Sequence, residues 1–241
     1  MDAIKTIGLT KVYKDITAVD HLELCIPEGE LFSLLGVNGA GKSTTIKMLS
    51  CLIQPTAGDA ILQGHSIISA PGEVKKRIAV SPQETAVALN LTVKENLQLM
   101  AGVHGLSKGE TAARIDELSE QFSLHEILKK RAGKLSGGYQ RRLSIAMALI
   151  SKPEILFLDE PTLGLDVLAR SELWDVIRSL KGHITIILTT HYMEEAEALS
   201  DRVGIMVGGK LLYVDTPDGI KGYAGTDRFE DAFVRIVKGE M

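Results

Sequence analysis

The sequence contains no long hydrophobic run. Of its 241 residues 45% are apolar, yet no stretch approaches the about 18 consecutive apolar residues that a membrane-spanning helix needs. The first residues, MDAIKTIGLTKVY, also lack the apolar segment of a secretory signal peptide. We therefore expect a chain that does not span a membrane by itself, so that any membrane role requires a partner.

Cysteine and positive charge are also scarce. The chain has 2 cysteines, Cys25 and Cys51, and both lie in short apolar runs, which predicts reduced, buried thiols in a cytoplasmic protein rather than a disulfide. The 27 Lys and Arg residues against 31 Asp and Glu give a formal net charge of -4. The basic excess typical of nucleic-acid-binding proteins is missing, and we expect no nucleic-acid partner.

Strand and helix patterns alternate along the chain. Leu22, Leu24 and Ile26 alternate with other residues in the period of a half-buried strand, which favours an antiparallel sheet near the N-terminus. The apolar segments LFSLL, RIAV, EILFLD and TIILTT are typical of buried strands separated by helices. This alternation predicts an α/β fold whose main sheet is mostly parallel and covered on both faces.

The middle of the chain has a different pattern. Between about residues 86 and 150 the sequence is mostly helical, and the pairs Thr92 with Glu95 and Ser107 with Glu110 have the spacing of helix capping boxes. We interpret this region as a helical subdomain inserted into a single domain that spans residues 1–241.

A glycine-rich loop follows the strand LFSLL and precedes a helix. The loop, GVNGAGKST, has the P-loop pattern, in which backbone N–H groups and the helix N-terminus bind phosphates. Lys42 supplies a positive charge to the β- and γ-phosphates, and the Ser43 hydroxyl is a candidate ligand for Mg²⁺. The residues predicted to bind nucleotide here are Gly36, Asn38, Gly39, Ala40, Gly41, Lys42, Ser43 and Thr44.

A second buried strand ends in paired carboxylates. ILFLDEPT places Asp159 and Glu160 where ionised acids need a metal or another partner. Adjacent strand residues point in opposite directions, so we assign the two acids different roles. Asp159 helps to hold Mg²⁺, and Glu160 is the catalytic residue that polarises the attacking water.

The segment LSGGYQ, residues 135–140, provides a second anion site. The Ser136 hydroxyl and the exposed amides of Gly137 and Gly138 lie at a predicted helix N-terminus. With the motifs above, this segment resembles the signature of the ATP-binding cassette family, LSGGQ, with Tyr139 as the departure. The resemblance extends from about Ile4 to Asp215 and implies a P-loop NTPase core that binds ATP and Mg²⁺ and hydrolyses ATP.

The resemblance also assigns roles to four residues outside the loop and strand. It implies that Tyr13 stacks on adenine. It also implies two further catalytic residues, Gln83, which contacts Mg²⁺ and water, and His191, which contacts the γ-phosphate. Asp166 in the segment GLD matches a loop that crosses a dimer interface, although its neighbour Gly164 replaces the alanine of many members.

Partners follow from the same resemblance. It implies a second ATP-binding subunit, either a copy of this chain or a close paralogue, whose signature completes the nucleotide site. It also implies a transmembrane permease subunit that docks near residues 83–100, and hence a peripheral location at the cytoplasmic face of the cell membrane. No second cassette or coiled coil follows the core, which favours a stand-alone subunit.

Three alternatives remain open at this stage. KVYKDITAVD and FEDAF resemble the bacterial efflux branch and imply export, but FEDAF fits a plain amphipathic terminal helix equally well. A cassette ATPase acting on DNA or ribosomes is a rival, although such proteins usually carry tandem cassettes or coiled-coil insertions. A P-loop kinase or GTPase would leave LSGGYQ unexplained, and the guanine-binding Asn-Lys-x-Asp motif is absent.

Overall fold

Strands and helices alternate through most of the chain, as the sequence predicts. A computed structural model describes residues 1–240. The strands are β1 (Asp2–Tyr13), β2 (Ile16–Leu22), β3 (Cys25–Pro27), β4 (Leu31–Leu35), β5 (Ala57–Leu62), β6 (His65–Ser66), β7 (Ile78–Ser81), β8 (Ile155–Asp159), β9 (Thr185–Thr190), β10 (Arg202–Val207) and β11 (Lys210–Asp215). The helices are α1 (Lys42–Leu49), α2 (Pro71–Arg77), α3 (Val93–Val103), α4 (Lys108–Gln121), α5 (Gly137–Leu149), α6 (Val167–Leu180), α7 (Met193–Leu199), α8 (Pro217–Ala224) and α9 (Phe229–Lys238).

The central sheet has the strand order β11-β10-β4-β9-β8-β7. Adjacent strands of this sheet pair in parallel, except for β10 and β11, which pair antiparallel. Every residue of β4, β8 and β9 is buried, because helices or the second sheet cover both faces. The continuous apolar runs in the sequence are the consequence of this double covering, and the predicted mostly parallel sheet is confirmed.

The second sheet is antiparallel and comes largely from the N-terminus. Its central strand β1 pairs with β2, β3 and β5. Leu22, Leu24 and Ile26 are buried, as the period-two pattern predicts. The chain does not run as one strand through these residues, since β2 ends at Leu22 and β3 begins at Cys25.

The two cysteines depart from the prediction of buried thiols. Cys25 is exposed, because it alternates with Ile26 and therefore points away from the core. Cys51 is half-buried, and burial raises the pKa of its thiol. The backbone of Cys51 has a φ of 57°, and the helix α1 ends just before it, at Leu49.

The predicted helical region contains α3, α4 and α5. Both capping boxes are present, with Thr92 and Ser107 as the N-cap residues of α3 and α4. Its buried apolar residues form one continuous cluster with residues of β4 and β8, such as Leu31 and Leu156. The helical region is therefore packed directly on one face of the central sheet. Its status as a separate subdomain stays a prediction.

The C-terminal segment FEDAF begins the helix α9. Its buried face includes Phe229, Phe233 and Ile236, which join a cluster with residues of β10 and α8. The amphipathic pattern of the sequence is thus explained by packing within this chain.

Four neighbouring parallel strands bring the predicted motifs together. The carboxyl ends of β4, β9, β8 and β7 lie side by side and are followed by Gly36, His191, Glu160 and Pro82. Ligands of open α/β sheets bind at this edge. The strand order therefore collects side chains that are far apart in the sequence.

Candidate active site

The loop after β4 forms a cradle at the N-terminus of α1. Gly41 is the N-cap of this helix and has a φ of 106°, a left-handed conformation that side chains rarely adopt. A Cβ at Gly41 would lie 2.3 Å from the carbonyl oxygen of Ala18 in β2. Glycine is therefore required here both for the turn and for the close approach of the N-terminal sheet.

The Lys42 ammonium lies at the base of this cradle and is almost fully buried. It donates hydrogen bonds to the carbonyl oxygens of Gly36, at 2.7 Å, and Val37, at 3.2 Å. It also lies 3.4 Å from Oε1 of Glu160. The positive charge is thus held beside both the loop and the catalytic candidate.

Asp159 is linked to the cradle by hydroxyl groups. Its Oδ1 accepts hydrogen bonds from Ser43 Oγ at 3.0 Å and from Thr189 Oγ1 at 2.5 Å. Thr189 belongs to β9, which lies between β4 and β8. This cluster of a carboxylate and hydroxyls offers the oxygen donors that Mg²⁺ prefers.

The Glu160 carboxylate is held between the side chains of Lys42 and His191. Its Oε2 lies 2.5 Å from Nδ1 of His191, and its Oε1 faces Lys42. Glu160 has a φ of 49°, so β8 has already ended at Asp159. The two acids do point differently, but the cause is this left-handed turn and not the alternation along a strand that the sequence predicted.

These groups surround one cavity of about 390 Å³. The predicted P-loop residues from Asn38 to Thr44, with Gln83, Glu160 and His191, line it, whereas the predicted residues Gly36 and Asp159 do not. The lining residues are Ala18, Asn38, Gly39, Ala40, Gly41, Lys42, Ser43, Thr44, Gln83, Glu160, Leu163 and His191.

The remaining predicted residues lie outside this cavity. Ser136 is the N-cap of α5 and Asp166 is the N-cap of α6, where its carboxylate accepts from the amide of Ala169 at 2.9 Å. Ser136, Gly137 and Asp166 are exposed. Tyr13 ends β1 and is 44% exposed as a residue, and Lys11 Nζ lies 5.1 Å from the centroid of its ring.

Sequence reasoning missed two polar residues behind the site. Arg141 is buried, and burial lowers the pKa of its guanidinium, yet it donates to backbone carbonyls of the site loops. Glu195 of α7 is also buried, which raises the pKa of its carboxyl group, and it accepts from Trp174 Nε1 at 3.1 Å. For both residues, the signal in the sequence was a charged residue on an otherwise apolar helix face.

A parallel sheet, a phosphate cradle after β4 and an acid after β8, which is separated from β4 by β9 alone, together define a P-loop nucleotide hydrolase. The chain belongs to the ABC transporter family, whose pattern matches residues 19–163. It is an ATP-hydrolysing subunit of this family, which powers a membrane transporter.

Individual relatives agree with this assignment. The chain is 41% identical over 226 residues to the daunorubicin/doxorubicin resistance ATP-binding protein DrrA of Streptomyces peucetius, covering 93% of this chain and 68% of that protein. A structure of the ATP-binding subunit of an ABC transporter superposes with a TM-score of 0.86 at 28% identity, covering 98% of this chain and 99% of that one.

A second solved structure shows a related cassette after hydrolysis. The dimeric structure of the ATP-binding cassette MJ0796, bound to ADP and Pi, matches with a TM-score of 0.78 at 26% identity. The match covers 88% of this chain and 98% of that one. Within residues 1–240, no helix has the length and apolar character needed to cross a membrane.

Proposed function

We propose that the residues around the 390 Å³ cavity hydrolyse ATP with Glu160 as the residue that polarises the attacking water. The observation that carries this proposal is the position of the Glu160 carboxylate between Lys42 and His191. A carboxylate held by an ion pair on one oxygen and a hydrogen bond on the other is fixed in direction. Lys42 and the P-loop amides bind the β- and γ-phosphates, and His191 contacts the γ-phosphate.

Mg²⁺ fits the donors that surround the phosphate cradle. Ser43 and Asp159 lie together at the cradle, and Gln83 lines the same cavity. Within residues 1–240, no group of three or more His, Cys, Asp or Glu side chains is placed to hold a metal. Mg²⁺ takes few protein ligands and completes its shell with phosphate and water. The bound ion would neutralise charge on the β- and γ-phosphates.

Tyr13 supplies a flat surface for the adenine base. Its ring is exposed at the end of β1, and β2, which pairs with β1, contributes Ala18 to the cavity. Stacking needs only a π-face and contributes little selectivity between bases.

The partner subunit in this proposal is a second copy of the chain. Ser136, Gly137 and Gly138 are excluded from the lining of the chain's own cavity, so their amides are available to a nucleotide on another subunit. The surface around Asp166 exposes Val167 and Leu168, both at 76%. Exposed apolar side chains of this kind mark interfaces, and the MJ0796 cassette is dimeric.

A transmembrane permease is the second proposed partner, which places the chain at the cytoplasmic face of a membrane. The candidate docking surface remains residues 83–100, where Leu89 and Leu99 are exposed at 53% and 50%. DrrA is a drug-resistance protein, and by this relationship we assign export rather than import.

Co-purification from native membranes tests the partner assignment. We expect the tagged chain, extracted in detergent, to retain an integral membrane protein with several apolar segments of about 20 residues each. Retention of ribosomes or DNA instead would contradict the transport assignment and favour the soluble cassette alternative. An affinity tag on a chain carrying Lys42→Met controls for nucleotide-dependent contacts.

A further inference from the structure

Arg141 connects the loop that carries Gln83 with the loop that carries Glu160. Its guanidinium donates to the carbonyl oxygens of Pro82 at 2.6 Å, Gln83 at 2.9 Å and Glu160 at 2.8 Å. The planar fork of donors in arginine can reach several acceptors at once, and a lysine ammonium cannot reproduce that geometry. One side chain therefore fixes the backbone on both sides of the cavity.

The bond to Glu160 is significant because of the backbone conformation there. Glu160 is left-handed, with a φ of 49°, and such a conformation persists only when neighbouring groups hold it. Its N–H donates to the carbonyl oxygen of Thr189 at 3.1 Å, and its carbonyl accepts from Arg141. Both backbone groups of Glu160 are thus fixed, which sets the direction of the carboxylate.

Arg141 also belongs to the helix that begins at the signature. It lies in α5, four residues after Gly137, so the two positions share a face of the helix. A displacement of the helix N-terminus by an anion would be carried along the hydrogen-bonded backbone to the guanidinium.

We propose that Arg141 is a positioning residue, which sets Gln83 and Glu160 for hydrolysis and links their geometry to the signature helix. The inference rests on the roles proposed above, in which Glu160 polarises the attacking water and Gln83 lies at the Mg²⁺ site. Arg141 acts through backbone carbonyls and does not contact the nucleotide cavity, so its contribution is to turnover and not to ATP binding.

The test compares Arg141→Met and Arg141→Lys in the full chain. Loss of the three donors should lower kcat by about tenfold to a hundredfold, the range for a misplaced catalytic group, while the Kd for a non-hydrolysable ATP analogue stays within about twofold, because the P-loop contacts remain. Arg141→Lys should recover part of kcat, since an ammonium can still donate to one or two of the carbonyls.

Arg114 provides the matched control. It is also buried, and it donates to the backbone carbonyls of Leu149 and Ile150 in the helical region. Arg114→Met should lower the melting temperature and leave kcat per folded molecule unchanged. Equal loss of kcat in Arg114→Met and Arg141→Met, wild-type kcat in Arg141→Met, or a fall in ATP affinity that matches the fall in kcat would each overturn the proposal.

A further variant separates this inference from the proposed function. If Glu160→Gln abolishes turnover while folded Arg141→Met retains it, only the role of Arg141 is wrong. If Glu160→Gln retains turnover, the assignment of Glu160 is wrong, and the inference about Arg141 is overturned with it.

Discussion

At the scale of single residues, the proposed mechanism depends on how Glu160 is held. Its carboxylate faces Lys42 and His191, and its backbone is fixed by Thr189 and Arg141. A carboxylate in free rotation would orient a water molecule only part of the time. The surrounding contacts remove that freedom before the nucleotide binds, which is the preorganisation that enzymes use.

The substitution Glu160→Gln tests this role. The amide keeps the size of the side chain but cannot act as a base, so we expect kcat to fall by about a hundredfold or more. The affinity for ATP should remain, because the P-loop contacts are unchanged. Steady-state hydrolysis and equilibrium nucleotide binding measure the two quantities.

Glu30→Gln is the control for this substitution. Glu30 is likewise buried and paired, with Arg202 at 2.8 and 3.0 Å, but it precedes β4, at the end of the strand opposite the cradle. Its loss should reduce thermal stability and leave kcat unchanged. Near-normal turnover in Glu160→Gln would remove that residue from the mechanism.

At the scale of elements, the strand order of the central sheet brings the site together. β9 lies between β4 and β8, so Thr189 and His191 lie beside the cradle and the paired acids. The sequence predicts each of these strands from its apolar run, but it contains no pattern that specifies which strands are neighbours. Arg141 was missed for the same reason, because its three carbonyl partners depend on that order.

The P-loop depends on close packing against the N-terminal sheet. In Gly41→Ala the new methyl group would lie 2.3 Å from the carbonyl oxygen of Ala18, so the loop must move and we expect ATP binding to be lost. Isothermal titration with ATP measures the effect. This prediction is wrong if Gly41→Ala binds ATP with wild-type affinity.

Gly64→Ala is the matched control in a turn outside the cavity. Gly64 also has a positive φ of 76°, but a Cβ there has no neighbour within 4 Å. We expect a destabilisation of about 1–2 kcal/mol from the backbone alone and an unchanged affinity for ATP. The contrast separates backbone strain from the clash with Ala18.

The limits of sequence-based prediction are also visible at this scale. Both capping boxes of the helical region were predicted, since the side chains that form them are three residues apart and the interaction is local. The predicted burial of Cys25 was wrong, because the same period-two alternation that buries Ile26 points Cys25 away from the core.

At the scale of the whole molecule, our proposal assigns the chain two separate anion sites. The cradle lines the cavity, and the signature at the start of α5 is exposed elsewhere on the surface. Neither is a complete site for hydrolysis in our proposal. Two copies arranged so that each signature faces the other's cradle would form two complete sites, with ATP between the subunits.

Of the two signature glycines, Gly137 is a better position than Gly138 at which to test the signature. A Cβ at Gly138 would lie 3.0 Å from that of Ala169, whereas a Cβ at Gly137 meets only Leu165, at 3.8 Å. Gly137→Asp therefore adds a charge without a steric conflict, and an acid is tolerated at the first position of a helix. Gly137→Ala controls for the added carbon.

The most direct test of the central claim is the ATPase activity of a mixture of Gly137→Asp and Lys42→Met. Each variant alone should be inactive, because Gly137→Asp has a repulsive signature and Lys42→Met has a cradle without its charge. In a mixed dimer, the intact cradle of the Gly137→Asp subunit meets the intact signature of the Lys42→Met subunit. With free subunit exchange, half of the dimers are mixed and each has one complete site, so an equal mixture should recover about a quarter of wild-type activity. A mixture no more active than the two variants measured separately would contradict a site shared between two copies of this chain.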